Sequence, residues 1–111
     1  MEIQEHKQGA VTVLKPRGPV VGDDAKGLAS RAHEVFKQTR GRFVLDASDI
    51  AFVDSAGLEA LLDITELLAP SGQSLKLCQT NETVRETLNL TGLADEFEHY
   101  EDAHHAARSF L

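Results

Sequence analysis

The residues in this sequence best suited to chemistry are Asp54-Ser55-Ala56-Gly57-Leu58, where a serine follows a carboxylate and precedes two small residues. A serine in that setting could act as a nucleophile or accept a phosphate. Nucleophilic catalysis needs an oxyanion site and a base oriented by a third group. The hydrolase elbow Gly-x-Ser-x-Gly is absent, because Val53 stands where its first glycine belongs. His33, His99, His104 and His105 could serve as bases, but no spacing ties any of them to Ser55. The chain is therefore not expected to be an enzyme.

The other candidate constellations have plainer accounts. His99, Asp102, His104 and His105 resemble a small ligand cluster. Adjacent residues on a helix point about 100° apart, so both histidines would rarely reach one ion. A solvated helix face explains them better. Asp46 and Asp54 could hold magnesium as a pair, but turn and helix-start hydrogen bonding accounts for them better. Gly18, Gly22 and Gly27 fit neither the dinucleotide-binding nor the P-loop spacing. The single cysteine, Cys78, excludes an internal disulfide and a cysteine-based zinc site, and reads as a small apolar filler. No cofactor and no metal are expected.

The elements that must position Ser55 alternate between strand and helix. Ile3 to Lys7 is predicted as a short strand, followed by a Gln8-Gly9 turn and an apolar strand over Ala10 to Lys15. Pro16 and Gly18-Pro19 are expected to end that strand. Asp23 or Asp24 could cap a helix whose stripe is Leu28, Ala32, Val35 and Phe36, with Gly41 as its stop. Phe43-Val44-Leu45 reads as a strand covered on both faces. A loop through Ser48-Asp49 leads to Phe52-Val53 and then to an apolar helix carrying Leu58, Leu61, Leu62, Ile64, Leu67 and Leu68. Glu59, Asp63 and Glu66 form a narrow acidic stripe on it, and Pro70 and Gly72 stop it.

Leu75 to Cys78 is another buried strand. Thr80 or Asn81 caps a third helix bearing Val84 and Leu88, which Gly92 ends. Phe97 to Tyr100 is a last short strand, and Asp102 caps a final helix with Ala103, Ala106, Ala107 and Phe110 as its stripe. The expected order is ββαβαβαβα: one α/β domain over residues 1–111, with a mixed sheet of about four or five strands and helices around it.

Composition narrows the classes further. At 111 residues and 12.1 kDa the folded surface should be about 6,000 Å², which leaves roughly two-thirds of the chain's surface to be buried in a core. The net charge is −7, and no run of Lys or Arg forms a basic patch. Nucleic acid and anionic membrane are therefore poor direct partners, and a protein with a basic surface is a better one. Met1 to Lys7 has no apolar run of the kind a signal peptide needs, and no stretch reaches the roughly 18 apolar residues of a membrane span. A cytoplasmic protein is expected.

Val44-Leu45-Asp46, the short loop after it and Asp54-Ser55-Ala56-Gly57-Leu58 together resemble the STAS family, the bacterial anti-sigma-factor antagonists. Their signature is an apolar strand ending in Asp, a short loop, and Asp-Ser-Ser/Thr-Gly-Leu opening an apolar helix. The resemblance runs over essentially the whole chain. It implies a STAS-like fold and a phosphorylation switch, with Ser55 as the acceptor and Asp54, Ala56 and Gly57 beside it in contact with the partner. Unphosphorylated, such a protein binds an anti-sigma factor that is itself a serine kinase. Phosphorylation releases it, and a serine phosphatase reverses the change.

The chain departs from the family pattern at two places. Ala56 stands where many relatives have a second hydroxyl. Val21 stands where relatives often carry an Asp that helps bind the kinase, and Asp23 and Asp24, shortly after it, could substitute. The resemblance also admits a second role, a non-phosphorylated subunit bound to an ABC transporter ATPase in phospholipid trafficking. For Ser55 a simple helix-capping role stays open, and for Gly57 either room for a partner or tight helix–strand packing.

Overall fold

The computed structural model describes all 111 residues. Its elements are β1 (Glu2–Gln8), β2 (Val11–Val20), α1 (Gly22–Thr39), β3 (Phe43–Asp46), β4 (Ile50–Val53), α2 (Ser55–Leu68), β5 (Lys76–Cys78), α3 (Glu82–Leu90), β6 (Glu98–Tyr100) and α4 (Ala103–Arg108). They build a mixed sheet ordered β1-β2-β3-β5-β6, with β4 paired to β2. Only the β1–β2 pair is antiparallel, from Glu2↔Arg17 to Gln8↔Val11, and the other pairs run parallel. The α/β class and mixed sheet are those expected from the sequence.

Two local differences come from one feature. β4 is a strand where a loop was expected, giving six strands in the order ββαββαβαβα. β2 also continues past Pro16 and Gly18-Pro19 to Val20. Its first half pairs with β3 through Thr12↔Phe43 and Leu14↔Leu45, and its second half pairs with β4 through Gly18↔Ile50 and Val20↔Val53. Pro16 lies in the gap between these ladders, and Pro19 lies at the register shift between Gly18 and Val20. A proline is tolerated where no ladder N–H is needed. β3 and β4 thus form one interrupted strand beside β2.

Asn81 holds the interruption. Its Nδ2 donates to the carbonyls of Ile50 (2.7 Å), Ala47 (3.1 Å) and Ser48 (3.3 Å), while its Oδ1 accepts from Val84 N–H at 2.9 Å and caps α3. Asp46, buried at the end of β3, accepts from Ser48 N–H at 2.9 Å and tightens the same turn. Asn81→Ala is expected to cost about 2–3 kcal/mol, one lost cap plus carbonyls left without a donor. Urea unfolding measures it. Asn81→Asp keeps the cap but not the donors, so wild-type stability in that variant would remove the carbonyl bridge from the account.

The sheet is covered on both faces. Leu14, Phe43, Leu45 and Leu77 face a large core beneath α1, α2 and α3. Val11, Val13, Val44 and Cys78 face a smaller core closed by Ala106 of α4. Within the predicted stripes, Leu28, Ala32 and Val35 of α1 and Leu61, Ile64 and Leu68 of α2 are buried, and Glu59, Asp63 and Glu66 stay exposed. Under α4, Lys76 is buried with its Nζ 2.9 Å from Glu98 and 4.7 Å from the Phe110 ring centre.

Cys78 is fully buried, and burial pushes its thiol up to about 12, helped by the charges of Asp46 and Asp102. Because the thiolate is the reactive form, native Cys78 should react with a disulfide reagent at pH 8 about a thousand-fold more slowly than the unfolded chain. A reaction rate equal to that of the urea-unfolded protein would contradict this burial.

Candidate functional site

Ser55 is the first residue of α2 and is exposed. The helix cap is its neighbour. Asp54 is extended, with φ −100° and ψ −170°, and its Oδ1 accepts from Gly57 N–H at 2.8 Å. An aspartate at this position satisfies one of the donors a helix start leaves open. The hydroxyl of Ser55 is thus not the cap and stands at the helix end as a separate group.

The same carboxylate reaches a second helix. Asp54 Oδ2 accepts from Gly22 N–H, the first residue of α1, at 3.3 Å. This explains a difference from the sequence expectation. Neither Asp23 nor Asp24 caps α1; its cap residue is Val21, which makes no side-chain cap bond. The acceptor comes instead from the β4–α2 corner. Gly22, at φ +50°, turns the chain there. Asp23 lies exposed in the first turn, where a carboxylate complements the helix dipole, and Asp24 is held 3.0 Å from the Met1 amino group.

Gly57 is buried, and a Cβ placed on it would lie 2.2 Å from the Val20 carbonyl oxygen and 3.0 Å from Val53 Cβ. The absent side chain is what lets α2 seat against the ends of β2 and β4. Of the two readings of this glycine, tight helix–strand packing is the one the geometry carries. Val20, Val21, Gly22, Asp54 and Gly57 therefore meet at one corner, beside exposed Asp23 and Ser55, at the carboxyl ends of β2 and β4. Ala56 is half-buried and opens a shallow groove of about 320 Å³ between α1 and α2, lined by Lys26, Ala29, Glu59, Ala60 and Asp63.

One residue at this corner was not singled out from the sequence. Phe52 on β4 is 50% exposed, two residues before Asp54. By sequence alone, Phe52-Val53 is only the stretch that the Ser48-Asp49 loop leads to. In β4 Ile50 and Val53 are buried and Ala51 and Phe52 between them are exposed, a pattern that strict alternation does not give and that accompanies the register shift against β2.

The remaining candidates are not part of the corner. Asp46 and Asp54 are engaged separately at the two ends of β4. No group of three or more His, Cys, Asp or Glu side chains is placed to hold a metal ion. His105 donates its backbone N–H to the capping Asp102, and its Nδ1 lies 2.7 Å from the same carboxylate. His99 Nε2 contacts the Ala94 carbonyl at 2.6 Å. No helix is long and apolar enough to cross a membrane.

The corner belongs to an α/β domain in which an interrupted parallel pairing lies beside β2 and an aspartate-capped apolar helix leaves it. A sequence model described as the STAS domain matches residues 2–107, and the chain belongs to that family. The fold has solved counterparts. An anti-sigma factor antagonist from Mycobacterium paratuberculosis superposes with a TM-score of 0.81 at 22% identity, over 97% of this chain and 92% of that one. The anti-sigma factor antagonist SpoIIAA in its unphosphorylated form gives 0.75 at 16% identity, over 98% of this chain and 96% of that one. The Bacillus cell fate determinant SpoIIAA in its phosphorylated form gives 0.69 at 15% identity, over 97% and 99%. The search of curated protein sequences found no match.

Proposed function

We propose that this chain is an anti-sigma factor antagonist that binds an anti-sigma factor serine kinase through the corner around Ser55 and is released when Ser55 is phosphorylated. The observation that carries the reading is Ser55 itself: an exposed hydroxyl at the start of α2, free of the capping role that Asp54 fills. The family and the fold support it, since SpoIIAA adopts this fold in an unphosphorylated and a phosphorylated form. Kinase, ATP and magnesium belong to the partner, and a phosphatase resets the switch.

The geometry suits such a switch energetically. A phosphate adds about −1.5 to −2 charges. Beside two helix starts the fold tolerates it, because each dipole favours an anion by about 0.3–1 kcal/mol. A docked partner does not tolerate it: a like charge at about 4 Å, at an effective dielectric of 20, costs about 4 kcal/mol. Val21, Asp23, Asp24 and Phe52 complete the contact surface, with the exposed Phe52 ring as its apolar anchor.

The test is recovery of the endogenous protein with its partners, followed by peptide mapping. A serine kinase bound to the unmodified pool, with phosphate on the Ser55 peptide of the free pool, is the expected result. A transporter ATPase in the complex, with Ser55 unmodified under every growth condition, would replace this reading with the transporter-subunit role.

A further inference from the structure

At the opposite end of the sheet from Ser55 lies a second cavity, about 250 Å³ in volume, between the β1–β2 turn, the start of β3 and α4. Its wall is apolar where Val11, Ala107, Phe110 and Leu111 line it, and cationic where Arg42 and Arg108 line it, with the His104 ring also on the wall. β2 separates the two sites, and its ten residues at about 3.3 Å each put them about 30 Å apart.

Four of the chain's 11 Lys and Arg side chains are paired with carboxylates: Lys15 with Asp49, Arg17 with Glu2 and Asp49, Arg31 with Glu5 and Glu34, and Lys76, 4.7 Å from the Phe110 ring centre, with Glu98. Arg42 and Arg108 have no carboxylate partner in the fold, and both border the same apolar hollow. Two unpaired guanidiniums, whose planar donor forks match a carboxylate, stand beside a hydrocarbon-lined space.

We propose that this cavity binds a small amphipathic carboxylate, its anionic head between Arg42 and Arg108 with His104 beside them, and its short apolar tail against Val11, Ala107 and Phe110. The volume sets the size. It holds roughly eight water-sized groups at about 30 Å³ each and falls just below the usual range of ligand sites, so the tail is short.

Hexanoate is the probe, titrated into the isotope-labelled full chain and followed by the backbone amide spectrum. Saturable shifts confined to Val11, Ala107 and their neighbours are expected, with a dissociation constant of about 1 mM or tighter. The Arg42→Gln/Arg108→Gln double variant changes only exposed side chains and should weaken binding about tenfold or more, the loss expected of a charge-assisted hydrogen bond. Either single variant should weaken it by a smaller factor. Acetate and hexylamine, which carry the charge alone and the opposite charge, should bind far more weakly. No saturable shift with hexanoate, an equal response to acetate or hexylamine, or undiminished binding by the double variant would overturn the proposal. None of these outcomes depends on the role of Ser55.

Discussion

Phosphorylation of Ser55 is expected to lower affinity for the partner kinase by about a hundred-fold or more. That ratio needs only about 2.7 kcal/mol, less than the repulsion of one like charge at contact in a partly screened interface. Ser55→Asp brings a smaller, singly charged group and should weaken binding by at least about tenfold. Ser55→Ala should bind at wild-type strength and no longer respond to kinase and ATP. The helix itself should be indifferent to all three, because its cap is Asp54 bonded to Gly57 N–H at 2.8 Å and its apolar face lies elsewhere. Calorimetric titration, with circular dichroism on the same samples, separates the effects. A Ser55→Asp protein that binds as tightly as wild type would end the switch reading for that partner. A loss of helix signal would mean that Ser55 supports the fold rather than the contact.

Gly57→Ala should destabilise the protein, against the direction helix propensity gives. In a helix with open space around it, exchanging glycine for alanine stabilises by about 1 kcal/mol. Here the new methyl would sit 2.2 Å from the Val20 carbonyl oxygen, a backbone atom fixed by the β2–β4 ladder, and 3.0 Å from Val53 Cβ. Overpacking of this kind costs about 1–3 kcal/mol and occasionally more. We expect a melting temperature lower by roughly 5–15 °C. Because relief requires α2 to move away from β2, Ser55 would move with it, and partner binding should fall even at temperatures where the variant is folded. A control at an open position calibrates the result: Gly27→Ala on α1 meets nothing within 4 Å and should be neutral or stabilising. A Gly57→Ala protein as stable as wild type would show that the corner is looser than its geometry.

The two experiments bear on different properties of one corner. Ser55 is exposed and replaceable without cost to the fold, whereas Gly57 is buried and holds the helix that presents Ser55. Asp54 links them, because its carboxylate receives the N–H of Gly57 on one side and of Gly22 on the other. The same link joins the Val21–Asp24 segment to Ser55 as one surface.

Much of this protein is determined by its sequence alone, wherever the signal is local. The apolar spacing of Leu28, Ala32 and Val35, the apolar runs of Phe43–Leu45 and Leu75–Cys78, and the caps at Asn81 and Asp102 each depend on residues within a turn or two of one another. So does the Asp54 cap, which acts on Gly57 three residues on. The site's position at a strand-to-helix corner follows from these. Tertiary structure alone decided the rest, because the deciding partners are distant in the chain. β4 is four residues long, too short for a period to show, and it is a strand only because the second half of β2 lies beside it. Pro16 and Pro19 carry a real local stop signal, which is overridden because the gap and the register shift spare the N–H groups they lack. Val21, not an aspartate, begins α1 because Asp54 supplies the acceptor from across the fold. Whether Gly57 serves a partner or the core rests on where one carbonyl oxygen of Val20 comes to lie, and no spacing in the sequence encodes a distance between two elements until both are packed.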